Sequence, residues 1–292
     1  MTDHGCSPNG SEQLLGRVLE AVRRGDLDSV AQSLEPDLAA WLADHTLQRS
    51  KPNWLPLAHL YGRALEWQAR WHDAADVYHC LFAIHRRLLA GTDTLAVSVE
   101  LHRRLAQLML KLGQLEEARF HVRQAFDAQQ PSLPATAGSL RLAMDCQHLA
   151  VIARLQGSTQ GATFWNRRAL AMLEAGGEAL ERQPTRVNGQ PLALPRSLVT
   201  LDAPVTLAIR LDLAELAADE QAYAEAQDLY RYVLTHAARN PLTRSLAAEA
   251  LAGLFAALVR CGRLTDAWNT RALGEQQGLR MPPKFRRSDD GI

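Results

Sequence analysis

Along most of the chain, apolar residues recur with the 3.6-residue spacing of helices packed on one side. The stripe reads i, i+4, i+7 after each of several alanines. Ala74 is followed by Tyr78 and Leu81, Ala118 by Val122 and Ala125, Ala226 by Tyr230 and Val233. Leu105, Leu108, Met109 and Leu112 mark a partner helix in the same way. Strand-forming residues never gather into alternating runs, so the pattern predicts helices throughout.

The helices repeat as pairs. Gly113 stands five residues before Ala118, Gly157 before Ala162 and Gly262 before Ala267; Gly25 to Val30, Ala69 to Ala74 and Gln221 to Ala226 are weaker copies. Successive second anchors (Val30, Ala74, Ala118, Ala162, Ala226, Ala267) are separated by 44, 44, 44, 64 and 41 residues. The long step equals one repeat plus an insertion of about 20 residues, and helical repeats carry insertions in their loops. Twelve residues before the anchors stand Gly62, Ala106, Ala150 and Ala214, small enough for two helices to cross closely. The thirteen prolines are expected between helices or in first turns, where a missing N–H costs little. Asp73 and Asn240-Pro241 read as helix starts, and Asp26 or Asp28 as the cap of the first unit's second helix. An extra helix after Pro36 is expected to place Trp41 and Leu42 in the core.

These residues resemble the tetratricopeptide repeat family, whose unit of about 34 residues carries a small residue at its eighth position and alanine at its twentieth. The pairs Gly62/Ala74, Ala106/Ala118, Ala150/Ala162 and Ala214/Ala226 match, as do the preceding large residues Tyr61, Leu105, Leu149 and Leu213. The chain departs from the family in its longer period of about 44. It also has Ala58, His102, Cys146 and Arg210 where an aromatic is expected, and Phe255, Arg271 and Gly274 in its last unit. The period is similar to repeat domains of bacterial regulators of the maltose-activator kind, but their helix-turn-helix and nucleotide-binding domains have no counterpart here. The resemblance implies an all-α fold: a right-handed α-solenoid of about six antiparallel helix hairpins, since one hairpin cannot bury its apolar face alone. The expected organisation is a disordered N-terminus over 1–10, a repeat domain over 11–277, and a flexible basic tail over 278–292. Within the repeats, the insertion at about 176–204 is marked by Gly176-Gly177, a tight hairpin at Val187-Asn188-Gly189-Gln190 and the apolar stretch Pro191–Pro195.

Composition narrows the function. Lys+Arg and Asp+Glu number 32 each, so no net field draws nucleic acid or an anionic membrane. No window reaches the roughly 18 apolar residues of a membrane span, and the polar first ten residues do not resemble a leader. The four cysteines, Cys6, Cys80, Cys146 and Cys261, form no close pair, as expected of free thiols in the cytoplasm. No metal is expected: the histidines make no His-x3-His or HExxH, and His79 and His85 point to different sides of one helix. No cofactor motif and no nucleophile–base pair is present; Cys146 and His148 diverge from a single helix. The chain is not expected to be an enzyme.

In this family the first helices of successive units line a groove that holds a peptide or partner segment. The 44-residue period sets His59, Arg103 and Gln147 in one row, Arg63, Gln107 and Val151 in a second, Trp67, Lys111 and Leu155 in a third, and Glu66, Leu110 and Arg154 in a fourth. Convergence of Arg63, Arg103, Lys111 and Arg154 suits a carboxylate or acidic segment, with Trp67 as an aromatic anchor. The other reading is a solvated face of mixed charge, with Trp67 packed on the next repeat. Arg103 and Gln107 imitate the first pair of the family's carboxylate clamp; Gln147, His148, Ala208 and Asp212 do not complete it. Asp212, Glu215, Asp219 and Glu220 make the far end acidic, which suits a dipolar partner helix or self-association. The sequence therefore favours a scaffold, adaptor or bacterial assembly chaperone that binds another protein or peptide, without nucleic acid and without membrane insertion. The alternative is a regulatory protein that senses a ligand or peptide.

Overall fold

The computed structural model describes residues 16–18, 20–44, 46, 48, 54–88, 95–129, 137–182, 186–187, 190–191, 204–238 and 240–280. The stretches read in the sequence as a disordered N-terminus, as the apolar segment after Pro191 and as most of the basic tail lie outside these residues, as does Cys6. The chain divides into two compact units, Met1–Ala128 and Gln129–Ile292.

The first unit begins with helical residues 20–23, followed by α1 (Leu27–Ala43), α2 (Leu55–Trp67), α3 (Trp71–Leu88), α4 (Leu95–Lys111) and α5 (Leu115–Gln129). The second holds α6 (Ala137–Leu155), α7 (Thr159–Arg182), a minimal hairpin of β1 (Arg186–Val187) and β2 (Gln190–Pro191), α8 (Pro204–Asp219) and α9 (Tyr223–Ala237). A 3-10 turn (Pro241–Thr243) then leads into α10 (Arg244–Arg260) and α11 (Leu264–Gln276). In the hairpin Val187 pairs with Gln190 and Arg186 with Pro191; Asn188-Gly189, read in the sequence as a tight turn, lie outside the described residues.

The repeat is built from one turn used six times. Gly25, Ala69, Gly113, Gly157, Gln221 and Gly262, each five residues before an anchor, all have positive φ between 57° and 78°. Each closes the preceding helix with the same two bonds: Gly113 N–H donates to Leu110 O at 3.2 Å, and Gln114 N–H to Met109 O at 2.8 Å. The bonds of Ala69 and Arg70 to Glu66 and Leu65, and of Gln221 and Ala222 to Ala218 and Ala217, repeat them. This is the left-handed helix stop that glycine makes cheaply. Ala69 and Gln221 make it with a Cβ in the way, a strain on the order of 1–2 kcal/mol each. The next helix starts at once, and Asp26 shows how: its carboxylate accepts from Ser29 N at 3.0 Å, capping α1.

All six anchors, Val30, Ala74, Ala118, Ala162, Ala226 and Ala267, are at most 1 % exposed. They hold the two helices of each pair close enough that a larger side chain has no room. At the crossing position Gly62 takes the face of Tyr78, where a Cβ would come within 2.9 Å of the ring. Tyr230, four residues after its anchor like Tyr78, lies instead against Gly253 of the following repeat, where a Cβ would come within 2.3 Å. Leu251, Leu254 and Leu258 of α10 pack with Tyr230 and Val233 of α9, and Leu279 beyond α11 joins the same core. Arg244 Nη2 donates to Gln277 O and Gly278 O, so the chain remains packed past residue 277.

Three expectations need correction. Pro36 lies inside α1 and does not break it. An interior proline costs about 3 kcal/mol, but continuing the helix buries Leu38 and Trp41, each contributing about 1.5–3 kcal/mol; Trp41 is in the core as read. Gly176-Gly177 does not end α7, which runs to Arg182. Each glycine costs a helix about 1 kcal/mol, and the following Glu178-Ala179-Leu180-Glu181 are good helix formers. Finally, Pro241–Arg260 is long and apolar enough to cross a membrane by length and composition; Ala247, Ala250, Leu251, Leu254 and Leu258 spend that apolarity on burial against α9 and α11.

Candidate partner-binding face

Six of the eight residues singled out in the sequence (His59, Arg63, Trp67, Arg103, Gln107, Lys111) lie on α2 and α4 of the first unit. Gln147 and Arg154 lie on α6 of the second.

In the first unit, α2 and α4 are tied at one point. Glu66 Oε1 accepts from Tyr78 OH at 2.5 Å, and Glu66 Oε2 accepts from Arg104 Nη1 at 3.5 Å. Arg104 is held in turn by Glu100 at 3.1 Å. Beside this tie stands Trp67, the last residue of α2, 72 % exposed. Of the two readings for Trp67, packing on the next repeat is excluded. Arg63, one turn earlier, is exposed; Arg103 and Gln107 are half-buried on α4. Lys111 ends α4 with Nζ 4.9 Å from the centre of the Trp71 ring, a cation–π contact. This face thus offers an exposed indole with Arg63 one turn before it, and Lys111 over Trp71 on the neighbouring helices.

His59 is not part of that offer. It turns towards α3, where its Nε2 lies 2.9 Å from His85 Nε2. Burial, and then the neighbouring His85, push its pKa down to about 4, against the opposing pull of Glu100. A second histidine cluster lies between α3, α4 and α5. His102 Nδ1 is 2.9 Å from His121 Nδ1, and the His79 ring centre is 5.9 Å from that of His121. Phe82 stands edge-on to His102, and Phe120 to His121. Burial first, then His102 and His79, lower the His121 pKa to about 4. His79 and His85 do face different ways, as their spacing predicts. The pairings across helices were invisible to a search along one helix; the only sequence signal was the density of histidine between residues 59 and 121.

The second unit answers its cation internally. Arg154 Nη1 donates to Glu215 Oε2 at 2.7 Å, so its charge is met within the second unit. Gln147 hydrogen-bonds Asp212, whose pKa is nevertheless raised to about 6 by burial and by Glu215. Asp212 and Glu215 of α8 are therefore partnered by α6, while Asp219 and the following Glu220 stay exposed. The hollow on this unit, lined by Gln160, Thr163, Phe164, Arg167, Arg168 and Glu220, is open to solvent and is not an enclosed pocket. Cys146 is no nucleophile: burial pushes its thiol up to about 12, and its Sγ lies 3.9 Å from Met172 Sδ. Among the described residues no three His, Cys, Asp or Glu side chains are gathered around a point that would hold a metal ion.

No protein-family model matches the chain, and no curated protein matches it. Solved structures do. The crystal structure of BtubC (BKLC) from P. vanneervenii superposes with a TM-score of 0.58 at 14 % identity, covering 96 % of this chain and 97 % of that one. A putative kinesin light chain with nearly identical TPR-like repeats from Podosopora anserina gives 0.53 at 18 % identity, over 78 % of this chain and 94 % of that one. A tetratricopeptide repeat protein from Parabacteroides merdae gives 0.53 at 16 %, over 93 % and 80 %. At these identities the likeness is one of fold, and it meets the repeat of turns and anchors described above: the chain has a TPR-like, all-α fold of antiparallel helix hairpins with a period of about 44 residues.

Proposed function

We propose that the chain is a protein-interaction scaffold or adaptor that takes a peptide or partner segment on the α2–α4 face of its first unit. The reading rests on Trp67: a large indole left 72 % exposed on a hairpin whose Tyr61, Leu65, Tyr78 and Leu81 are buried. Trp and Arg are the residues on which binding energy concentrates, and Arg63 and Lys111 favour an acidic or carboxylate-bearing segment. The likeness to TPR-like structures supports protein–protein interaction in general. Service as an adaptor or assembly chaperone in the cytoplasm fits the free thiols Cys80, Cys146 and Cys261. A small-molecule sensor would need an enclosed pocket; the hollow on the second unit is open to solvent, so we favour the adaptor. The test is affinity capture from native lysate with wild type, Trp67→Ala and Arg103→Glu/Lys111→Glu in parallel. The adaptor reading requires a defined protein captured by wild type and lost in Trp67→Ala. Equal capture by all three places the contact elsewhere and sinks the assignment to this face.

A further inference from the structure

We propose that the α10–α11 face of the second unit is a self-association surface that takes a second copy of this chain across a two-fold axis. The inference does not depend on the partner-binding reading of α2 and α4. Helix α9 shows what such a face does. Its Tyr223, Tyr230 and Leu234 pack into the core shared with α10, as do Ala214 and Ala218 of α8. Its Gln227 accepts from Arg263 Nη1 at 3.2 Å, in the turn that follows α10. The repeat step of 41 residues sets Phe255, Val259, Leu264, Trp268, Arg271 and Glu275 of α10 and α11 at the corresponding places. They form the face on which a next helix would stack, and no further helix among the described residues covers it.

This face is apolar and held by its own contacts. Val259, Leu264 and Trp268 are exposed. The Trp268 ring stands edge-on to Phe255, centres 5.5 Å apart, and the Arg271 guanidinium lies 5.4 Å from its centre. The indole is therefore positioned before anything docks on it, and such side chains are where binding energy concentrates. The outer face of a repeat array is polar where it stays in water; this one is not. Charge selects the occupant. Arg271 and Glu275 are paired at 2.8 Å along one edge of the apolar patch. A copy turned by two-fold symmetry presents the same two charges in reverse order, so each Arg271 meets the partner's Glu275 and neither charge is left unmatched. A segment of one sign would attract one of them and repel the other. From Leu264 to Glu275 the face runs about 17 Å and is two helices wide. That is the small end of specific interfaces, so the dimer dissociates in the micromolar range.

The experiment is sedimentation velocity of the full, untagged chain from about 1 to about 500 µM, a range that brackets weak specific interfaces. Wild type is expected to pass from monomer to dimer, with nothing larger. Trp268→Ala should raise the dissociation constant at least about 30-fold, as loss of an interface hot spot does. Leu264→Glu carries the test if Trp268→Ala does not fold, because an acidic residue in the first turn suits α11. Leu273→Gln is the control. Leu273 is 59 % exposed against 54 % for Leu264 but stands about half a turn round the helix from it, so its replacement should leave the dimer unchanged. Arg271→Glu and Glu275→Arg should each weaken self-pairing, one face then holding two anions and the other two cations. An equimolar mixture of these two variants should pair more tightly than either alone. A chain that stays monomeric throughout, assembly beyond the dimer, undiminished pairing in Trp268→Ala, equal weakening by Leu273→Gln, or a mixture no tighter than its components overturns the proposal.

Discussion

The two units follow one construction rule and present different surfaces. Each turn before an anchor is left-handed, and each anchor is buried, from Val30 in the first unit to Ala267 in the second. On the first-helix face they part. The first unit leaves Trp67 bare beside Arg63 and sets Lys111 over Trp71. The second pairs its Arg154 with Glu215 and half-buries Asp212 among Gln147, Arg154 and Glu215. The difference teaches that the repeat grammar specifies packing, while function is written in positions the grammar leaves open. A periodic anchor says that two helices meet; it does not say whether a basic residue between them will wait for a ligand or be satisfied by the next helix.

Packing differs between the units as well, and the largest expected effect lies there. Gly253→Ala drives a Cβ into Tyr230 at 2.3 Å, whereas Gly62→Ala meets Tyr78 at 2.9 Å. Overpacking costs about 1–3 kcal/mol, and urea denaturation should place Gly253→Ala near the top of that range and Gly62→Ala near the bottom. A larger loss from Gly62→Ala would mean that Tyr78, hydrogen-bonded to Glu66, is the less able of the two to yield.

Acid should then pull the units in opposite directions. His59 titrates at about 4 in the fold and near 6.5 unfolded. The unfolded chain therefore binds more protons in between, and His59 weakens the first unit as pH falls from about 6.5 towards 4. Asp212 titrates at about 6 in the fold and near 3.9 unfolded. Over the window from about 6 down to 3.9 the fold binds the extra proton, and Asp212 strengthens the second unit as pH falls. Hydrogen exchange resolved by segment, between pH 7 and 4.5, reads both. His59→Gln should weaken the first trend, leaving the part due to His121, and Asp212→Asn should flatten the second while stabilising the chain at pH 7. A first unit as stable at pH 4.5 as at pH 7 would contradict the buried, neutral His59–His85 pair.

Smaller effects come from the turns. Ala69→Gly in the first unit and Gln221→Gly in the second relieve positive φ at 57° and 63°, and each should stabilise the chain by up to about 1 kcal/mol once the added freedom of glycine is counted. Gly113→Ala should do the reverse. Smallest of all, Arg154→Gln should cost less than about 1 kcal/mol, because its pairing with Glu215 is exposed to solvent.

Much of this fold was legible because it rests on residues with no alternative. Gly25, Gly113, Gly157 and Gly262 mark left-handed turns, and alanine recurs where only a methyl fits. Even Ala69 and Gln221 were found by spacing alone. Pro36 and Gly176-Gly177 misled because local propensity was outweighed, at Pro36 by the burial of Leu38 and Trp41. The face was legible in position but not in state. The sequence placed Trp67 and Lys111 correctly on first helices, yet it could not tell an exposed Trp67 from a packed one, or see Glu215 closing on Arg154 from 61 residues away. The histidine contacts were missed for the same reason: His59 meets His85, and His102 meets His121, across helices whose relative rotation the sequence does not state.

The central claim is that the first unit, and not the second, receives a partner on its first-helix face. Position 155 repeats position 67 two periods later, and Leu155 is likewise well exposed, at 61 %. A photo-crosslinking residue placed at 67 or at 155 in the full chain, irradiated in native lysate and resolved by mass spectrometry, compares the two faces directly. The account predicts a discrete crosslinked protein from position 67 and none from position 155. The same product from both positions, or a product from 155 alone, would contradict it.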